Sequence, residues 1–167
     1  MLEKMPLGFR QQLVSESQRL LSEVSNDQAA VLILKGHLLI EERLWNIIAA
    51  SVSHPHHLLG TRLDFSRKVV LARSMSPAEA DPHGWELILK LNKIRNSLAH
   101  SLSGAERNKA MAALVLSYEH YNQHSVAPLD PTEEDSEIDI LGTIIGVCLG
   151  LVLRVEWEIK HRITGGE

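Results

Sequence analysis

Cysteine is almost missing from this 167-residue chain, and aromatic residues are scarce: one Cys, three Trp, two Tyr and two Phe. A single thiol excludes any disulfide within the chain. Cys148 sits inside the apolar run "GTIIGVCLGLVL", where buried packing is the natural role and a reducing compartment the natural setting. With aromatics at 4%, aliphatic side chains must build most of the core. There is no excess of basic charge either. A formal net charge of -4 gives no overall electrostatic footprint for nucleic acid, so any such contact has to come from a local patch. The opening "MLEKMPLGFRQQ" lacks the apolar core of a secretory signal, and a cytoplasmic location is expected. The most apolar stretch, near Ile138 to Leu153, contains Asp139, ends at Arg154 and falls short of the roughly 20 residues a bilayer requires. It reads as a buried helix, and no membrane partner is expected. No segment alternates apolar and polar residues over a strand's length, and no repeat or low-complexity tract is present.

What is present is helical periodicity interrupted by breakers. The length suits one domain, residues 1–167. The pattern predicts an all-α bundle of about five to six helices, with a core over about 28–163 and an N-terminal helix over about Leu7–Val24. "SND" can cap a helix from Gln28 to Ser53, which Pro55 ends. A loop rich in His, Gly and Pro, "HPHHLLGT", leads to a short basic helix near Asp64–Ser74, and "SPAEADPHG" links it to the next. Further helices are expected over Trp85–Ser101, Ala105–His124 and Ser136–Ile163.

Charge is uneven along the chain. Residues 62–100 hold seven Lys or Arg against four acids, whereas "DPTEEDSEID" carries six acids and no base. On a wheel of about 100° per residue, Leu87, Leu91, Ile94 and Leu98 share one stripe of the Trp85–Ser101 helix and belong to the core. A second face starts apolar with Trp85, Ile88 and Leu89. It becomes polar through Asn92, Arg95, Asn96, Ala99 and His100. Exposing Trp85 and two aliphatics would gain a monomer nothing, so this face predicts a two-fold homodimer with Trp85, Ile88 and Leu89 at its interface. The polar ends of the two helices would then line a shared cleft.

"RNSLAH", Arg95 to His100, holds the chemistry. Arg stays protonated and only donates, so Arg95 can hold a phosphate, whereas His exchanges a proton near neutral pH. His100 can take the proton from a ribose 2′-hydroxyl or give one to the departing 5′-oxygen, and Asn96 can orient phosphate or imidazole. Together they suit RNA cleavage by transesterification, which needs no metal and leaves DNA inert. Asn92, and Arg67 and Lys68 on the basic helix, are weaker candidates for substrate contact through the RNA backbone.

The motif resembles the Arg, polar residue, three residues, His signature of the HEPN superfamily, matched by Arg95, Asn96 and His100. Its place late in a helix after "WELILKLNKI" and the upstream "LKGHLLIEERLWNII" are similar as well, and the resemblance spans about residues 28–163. It implies an all-α dimer acting as a metal-independent endoribonuclease, as a toxin of a toxin-antitoxin pair or a phage-defence effector, with a composite site and a possible antitoxin or regulatory partner. It equally admits a non-catalytic dimerisation or regulatory module. In one branch a Tyr two residues after the His is modified by a partner. Position 102 here is Leu, which departs from that branch.

Other readings compete. Arg95 can pair with an acid such as Glu41 while His100 caps a helix C-terminus, a purely structural arrangement. A helical transcriptional regulator lacks its helix-turn-helix signature. His54, His56 and His57 could ligate Zn²⁺ or Ni²⁺, but no Cys or firmly placed carboxylate completes a set. His120 and His124 have the spacing of a helical metal pair without the HExxH glutamate. No metal site and no cofactor are therefore assigned. His37 and Glu41, one turn apart, read as core polar packing or as an orienting pair. Gly142, Gly146 and Gly150 form a ridge of small residues that would admit another helix at close range.

Overall fold

A computed structural model describes residues 8, 11–12, 14–16, 28–58, 61–76, 82–99, 104–124 and 136–164. The fold is all-α, with no strand among the described residues. Five helices have defined bounds: α1 (Gln28–Ser51), α2 (Phe65–Met75), α3 (Pro82–Ala99), α4 (Gly104–Gln123) and α5 (Glu137–Thr164), with a 3₁₀ turn at Pro55–Leu58 after α1. Residues 8, 11–12 and 14–16 are helical too; the rest of the expected N-terminal helix lies outside the described residues.

The ends follow local chemistry. Asp64 caps α2 by accepting the Arg67 N–H at 2.8 Å. At α5, Asp139 Oδ2 accepts from the Ser136 N–H at 3.0 Å while the Asp139 N–H donates to Ser136 Oγ at 3.3 Å, a reciprocal cap. The Ser136 hydroxyl and, secondly, its N–H both donate to Oδ2 and hold the Asp139 carboxyl below its ordinary range. α3 begins three residues earlier than the breakers in "DPHG" suggest. Its first residue is Pro82, whose fixed φ and missing N–H suit the first helical position, and this brings His83 and Gly84 into the helix.

α1 is the central element. It lies along α5 over the longest contact and also packs on α2 and α3, while α4 packs mainly on α3. Ile33, Ile40, Leu44 and Ile47 of α1 share one core cluster with Ile144, Ile145, Cys148, Leu149 and Val152 of α5, all fully buried. Burial pushes the Cys148 thiol far up and keeps it protonated. Residues 137–162 are long and apolar enough to cross a bilayer by composition, yet α5 is a core helix here, with half of its most apolar window buried in the fold. Arg43 of α1, almost buried, reaches Glu16 at 2.8 Å and Glu156 of α5 at 3.5 Å, and Glu156 also holds Lys160.

One expectation is overturned. Trp85 and Ile88 are both 0% exposed within the single chain, so they belong to the core formed by α3 and its neighbours and cannot be the surface on which a second copy packs. Only Leu89 of that trio is exposed, at 38%. The wheel separated two apolar stripes on α3 correctly, but the fold covers both, because α4 and α5 pack on it in addition to α1 and α2. No helix of the chain crosses α5 at Gly142 or Gly146 among the described residues. A Cβ at Gly142 or Gly146 would meet open space, whereas one at Gly36 would fall 2.6 Å from Ile145 Cγ2.

Gly36→Ala is expected to destabilise the protein by about 1–3 kcal/mol, since Ile145 is β-branched and cannot swing away. Gly142→Ala should stabilise it by roughly 0.5–1 kcal/mol through helix propensity alone. Urea denaturation midpoints of the two variants test the pair. Trp85→Glu is expected to unfold the chain, with loss of far-UV circular dichroism at 25 °C, rather than yield a folded protein of reduced oligomeric mass.

Candidate functional site

Three helices converge on one polar cluster. α1 contributes His37 and Glu41, α2 contributes Phe65, Ser66 and Lys68, and α3 contributes Asn92, Arg95 and Asn96. Position 37 falls among Ile33, Ile40 and Leu44 on the buried stripe of α1, which is why its imidazole is only 3% exposed. Its ring stacks on Phe65 with centroids 4.0 Å apart and planes 27° from parallel. On α3, Asn92, Arg95 and Asn96 follow the three- and four-residue spacing of one face.

The hydrogen bonds run in a line. Asn92 Nδ2 donates to Ser66 Oγ at 3.4 Å, which turns Asn92 Oδ1 towards His37 Nε2 at 3.0 Å. That bond makes Nε2 the protonated nitrogen of the neutral ring and leaves Nδ1 facing Glu41, 3.9 Å away. Glu41 accepts from Lys68 Nζ at 2.7 Å. Burial lowers the His37 pKa; the Asn92 bond and the Glu41 charge oppose this, and Arg95 and Lys68 add to it. His37 is therefore held as a neutral imidazole, stacked and hydrogen-bonded at the base of the cluster.

Arg95 is the outer member. It is half-buried, and its Nη1 donates to Asn96 Oδ1 at 3.3 Å. The expected structural partner, Glu41, is occupied by Lys68, and among the described residues no carboxylate lies within ion-pair reach of Arg95. The guanidinium thus keeps donors available for an oxyanion and can meet one with two parallel bonds. Of the other expected substrate contacts, Asn92 is committed to His37 and Ser66, and Lys68 to Glu41. Arg67 is exposed and pairs with Asp64 at 3.5 Å in solvent. His100 lies outside the described residues.

A concavity of about 420 Å³ opens beside the cluster, lined by Trp45, Leu58, Arg62, Leu63, Asp64 and Lys68 among others. Lys68 is common to both. The sequence pairs His37 with Glu41 on one turn and Asn92 with Arg95 on one face, but gives no sign of Phe65 and Ser66, whose contacts depend on how α2 docks on α1 and have no signature in local spacing. Comparison with known proteins adds no relative: no family model, curated protein or solved structure matches the chain.

The lowered His37 pKa makes stability pH-dependent with a definite sign. Above an unfolded-state value near 6.5 the ring is neutral in both states. Below it the unfolded chain takes up a proton that the folded chain resists, so stability falls as pH drops towards the lowered folded value. The melting temperature is expected to decline from pH 7.5 to pH 5.5, and His37→Gln should flatten part of that decline. Equal slopes for the two proteins in a thermal denaturation series would remove His37 as the cause.

Proposed function

We propose that the chain is an RNA-directed protein of the HEPN type, cleaving RNA by attack of a ribose 2′-hydroxyl on the adjacent phosphate. Arg95 would hold the phosphate, Asn96 would orient it, and His100 would move the proton. What carries this reading is the pairing of Arg95: the neighbouring cation Lys68 is neutralised by Glu41, while among the described residues Arg95 is bonded to a carboxamide and to no carboxylate. An arginine left without an acid partner beside a hydrogen-bonded polar face is poised for an anion supplied from outside. The all-helical fold and the position of Arg95 in the last turns of α3 agree with the resemblance of "RNSLAH" to that superfamily.

In the reaction a base removes the 2′-proton, the 2′-oxygen bonds to phosphorus, and the P–O5′ bond breaks as the leaving oxygen takes up a proton. The products are a 2′,3′-cyclic phosphate and a free 5′-hydroxyl. Arg95 stabilises charge gathering on the non-bridging oxygens during this exchange. His37 is too enclosed to reach substrate; its bond to Asn92 instead fixes the face from which Arg95 and Asn96 project. A second copy of the chain would have to dock on a surface other than Trp85 and Ile88. The toxin, phage-defence and antitoxin settings follow from the resemblance alone.

One observation favours a second reading, a non-catalytic dimerisation or regulatory module. His37, Asn92 and Ser66 satisfy one another, as a packed structural face would. A cleavage assay separates the two. With chelator present and a mixed RNA pool as substrate, the wild type is expected to yield cyclic-phosphate ends. His100→Ala should slow cleavage by about 10²- to 10⁴-fold, and Arg95→Ala by about 10²- to 10³-fold, both with unchanged circular dichroism; DNA should remain intact. A folded wild type that cuts nothing under these conditions supports the binding module.

A further inference from the structure

Three histidines meet at the opposite end of α3. His83 lies in its first turn, His120 lies in the last turn of α4, and His124 follows directly after the end of that helix, four residues on. One ligand nitrogen from each falls within 4.8 Å of the other two. The ring centroids are 4.5 Å apart for His83 and His120, 4.8 Å for His83 and His124, and 4.7 Å for His120 and His124. Among the described residues, this is the group in which three His, Cys, Asp or Glu ligand atoms converge in this way.

We propose that His83, His120 and His124 bind one late first-row divalent transition-metal ion, of which Zn²⁺ is representative. Three imidazoles are a donor set that suits Zn²⁺, Cu²⁺ and Ni²⁺ and is poor for Mg²⁺ or Ca²⁺. Two nitrogens at about 2.1 Å from one tetrahedral ion stand roughly 3.4 Å apart. Closing from 4.8 Å therefore asks each ring to move by about an ångström or less. His120 and His124 are exposed and His83 half-buried, so rotation about their side-chain bonds supplies the movement.

Two independent features prepare the site. His124 Nδ1 lies 2.8 Å from the His120 carbonyl oxygen. An imidazole bonded to a carbonyl carries its proton on that nitrogen, which leaves Nε2 with the lone pair a metal needs and fixes the ring's direction. The second feature is Gly84. A Cβ there would fall 2.8 Å from Leu151 Cδ2 and 3.6 Å from Tyr121 Cε2. The missing side chain lets the first turn of α3 press onto α5 at Leu151 and onto the end of α4 at Tyr121, between His120 and His124. His83 is thus delivered to the pair by a close backbone approach and not by a mobile loop.

The bound ion clips the start of α3 to the end of α4 and keeps a fourth position for water or a further ligand, because among the described residues three protein donors converge and two of them face solvent. This site is separate from the one proposed for RNA. Positions 83 and 95 stand about 18 Å apart along α3, so loss of one does not entail loss of the other.

Tag-free full-length protein titrated with Co²⁺ tests the site, read by the visible d–d absorption of the four-coordinate ion and by its displacement with Zn²⁺. Saturation at one ion per chain is expected. His120→Gln, an exposed position whose change should leave the circular dichroism intact, should weaken binding about 10-fold or more, as should His83→Ala. The triple variant His54→Gln/His56→Gln/His57→Gln controls for the other histidine cluster and should bind like wild type. No saturable spectrum in the wild type, undiminished binding in His120→Gln, or loss of binding in the triple variant would each overturn the proposal. If His83→Ala alters the fold, the His120→Gln result decides.

Discussion

Everything in this fold depends on how closely α1 can approach α5. These helices, Gln28–Ser51 and Glu137–Thr164, are the longest with defined bounds, and they touch where Gly36 leaves room for Ile145. Ridges of aliphatic side chains then interlock on both sides of that point, and because the interior is close-packed, a displacement of one helix is passed to whatever lies on the other side of it. His37 follows Gly36 directly. The residue that permits the contact with α5 is thus the neighbour of the residue that meets α2 and α3, and the register of the hydrophobic layer sets the height of the polar one.

A second constraint acts along the same pair of helices. Arg43 is nearly enclosed with Glu16 and Glu156 around it, and taking these charges from water is repaid only while the group stays together. Removing one member would leave another charge buried without compensation. Such an arrangement adds modestly to stability but discriminates against a shifted alignment of α1 on α5, where Arg43 would face aliphatic side chains. Hydrophobic packing drives the two helices together, and the ion group selects among the ways they could fit.

Much of the architecture was legible in the sequence because helix chemistry is local. Periodicity and the breakers after Ser53 place most helix bounds to within a few residues. The two-faced character of α3 was legible as well, but its meaning was not. Periodicity reports that Trp85 and Ile88 must be covered and is silent on what covers them; here α4 and α5 do so, from segments far along the chain. The same limit explains the glycines, since spacing identifies Gly142 and Gly146 as small and only the packed neighbours show that Gly36 and Gly84 are the crowded ones. For the candidate site, His37 and Glu41 on one turn, and Asn92 and Arg95 on one face, were readable as pairs. Their union with Ser66, Phe65 and Lys68 is a product of tertiary docking, as is the meeting of His83 with a pair on another helix that "DPHG" had seemed to place in a link.

The burial of Cys148 has a practical side. It is the one thiol in the chain, fully enclosed and held protonated by its surroundings, which makes the folded molecule inert towards maleimides and mild oxidants. A cysteine introduced at an exposed position would be the single reactive handle, so a fluorophore or spin label could be attached at a chosen point without first removing a native residue. Distances across any assembly this protein forms can be measured on a molecule whose core has been left untouched.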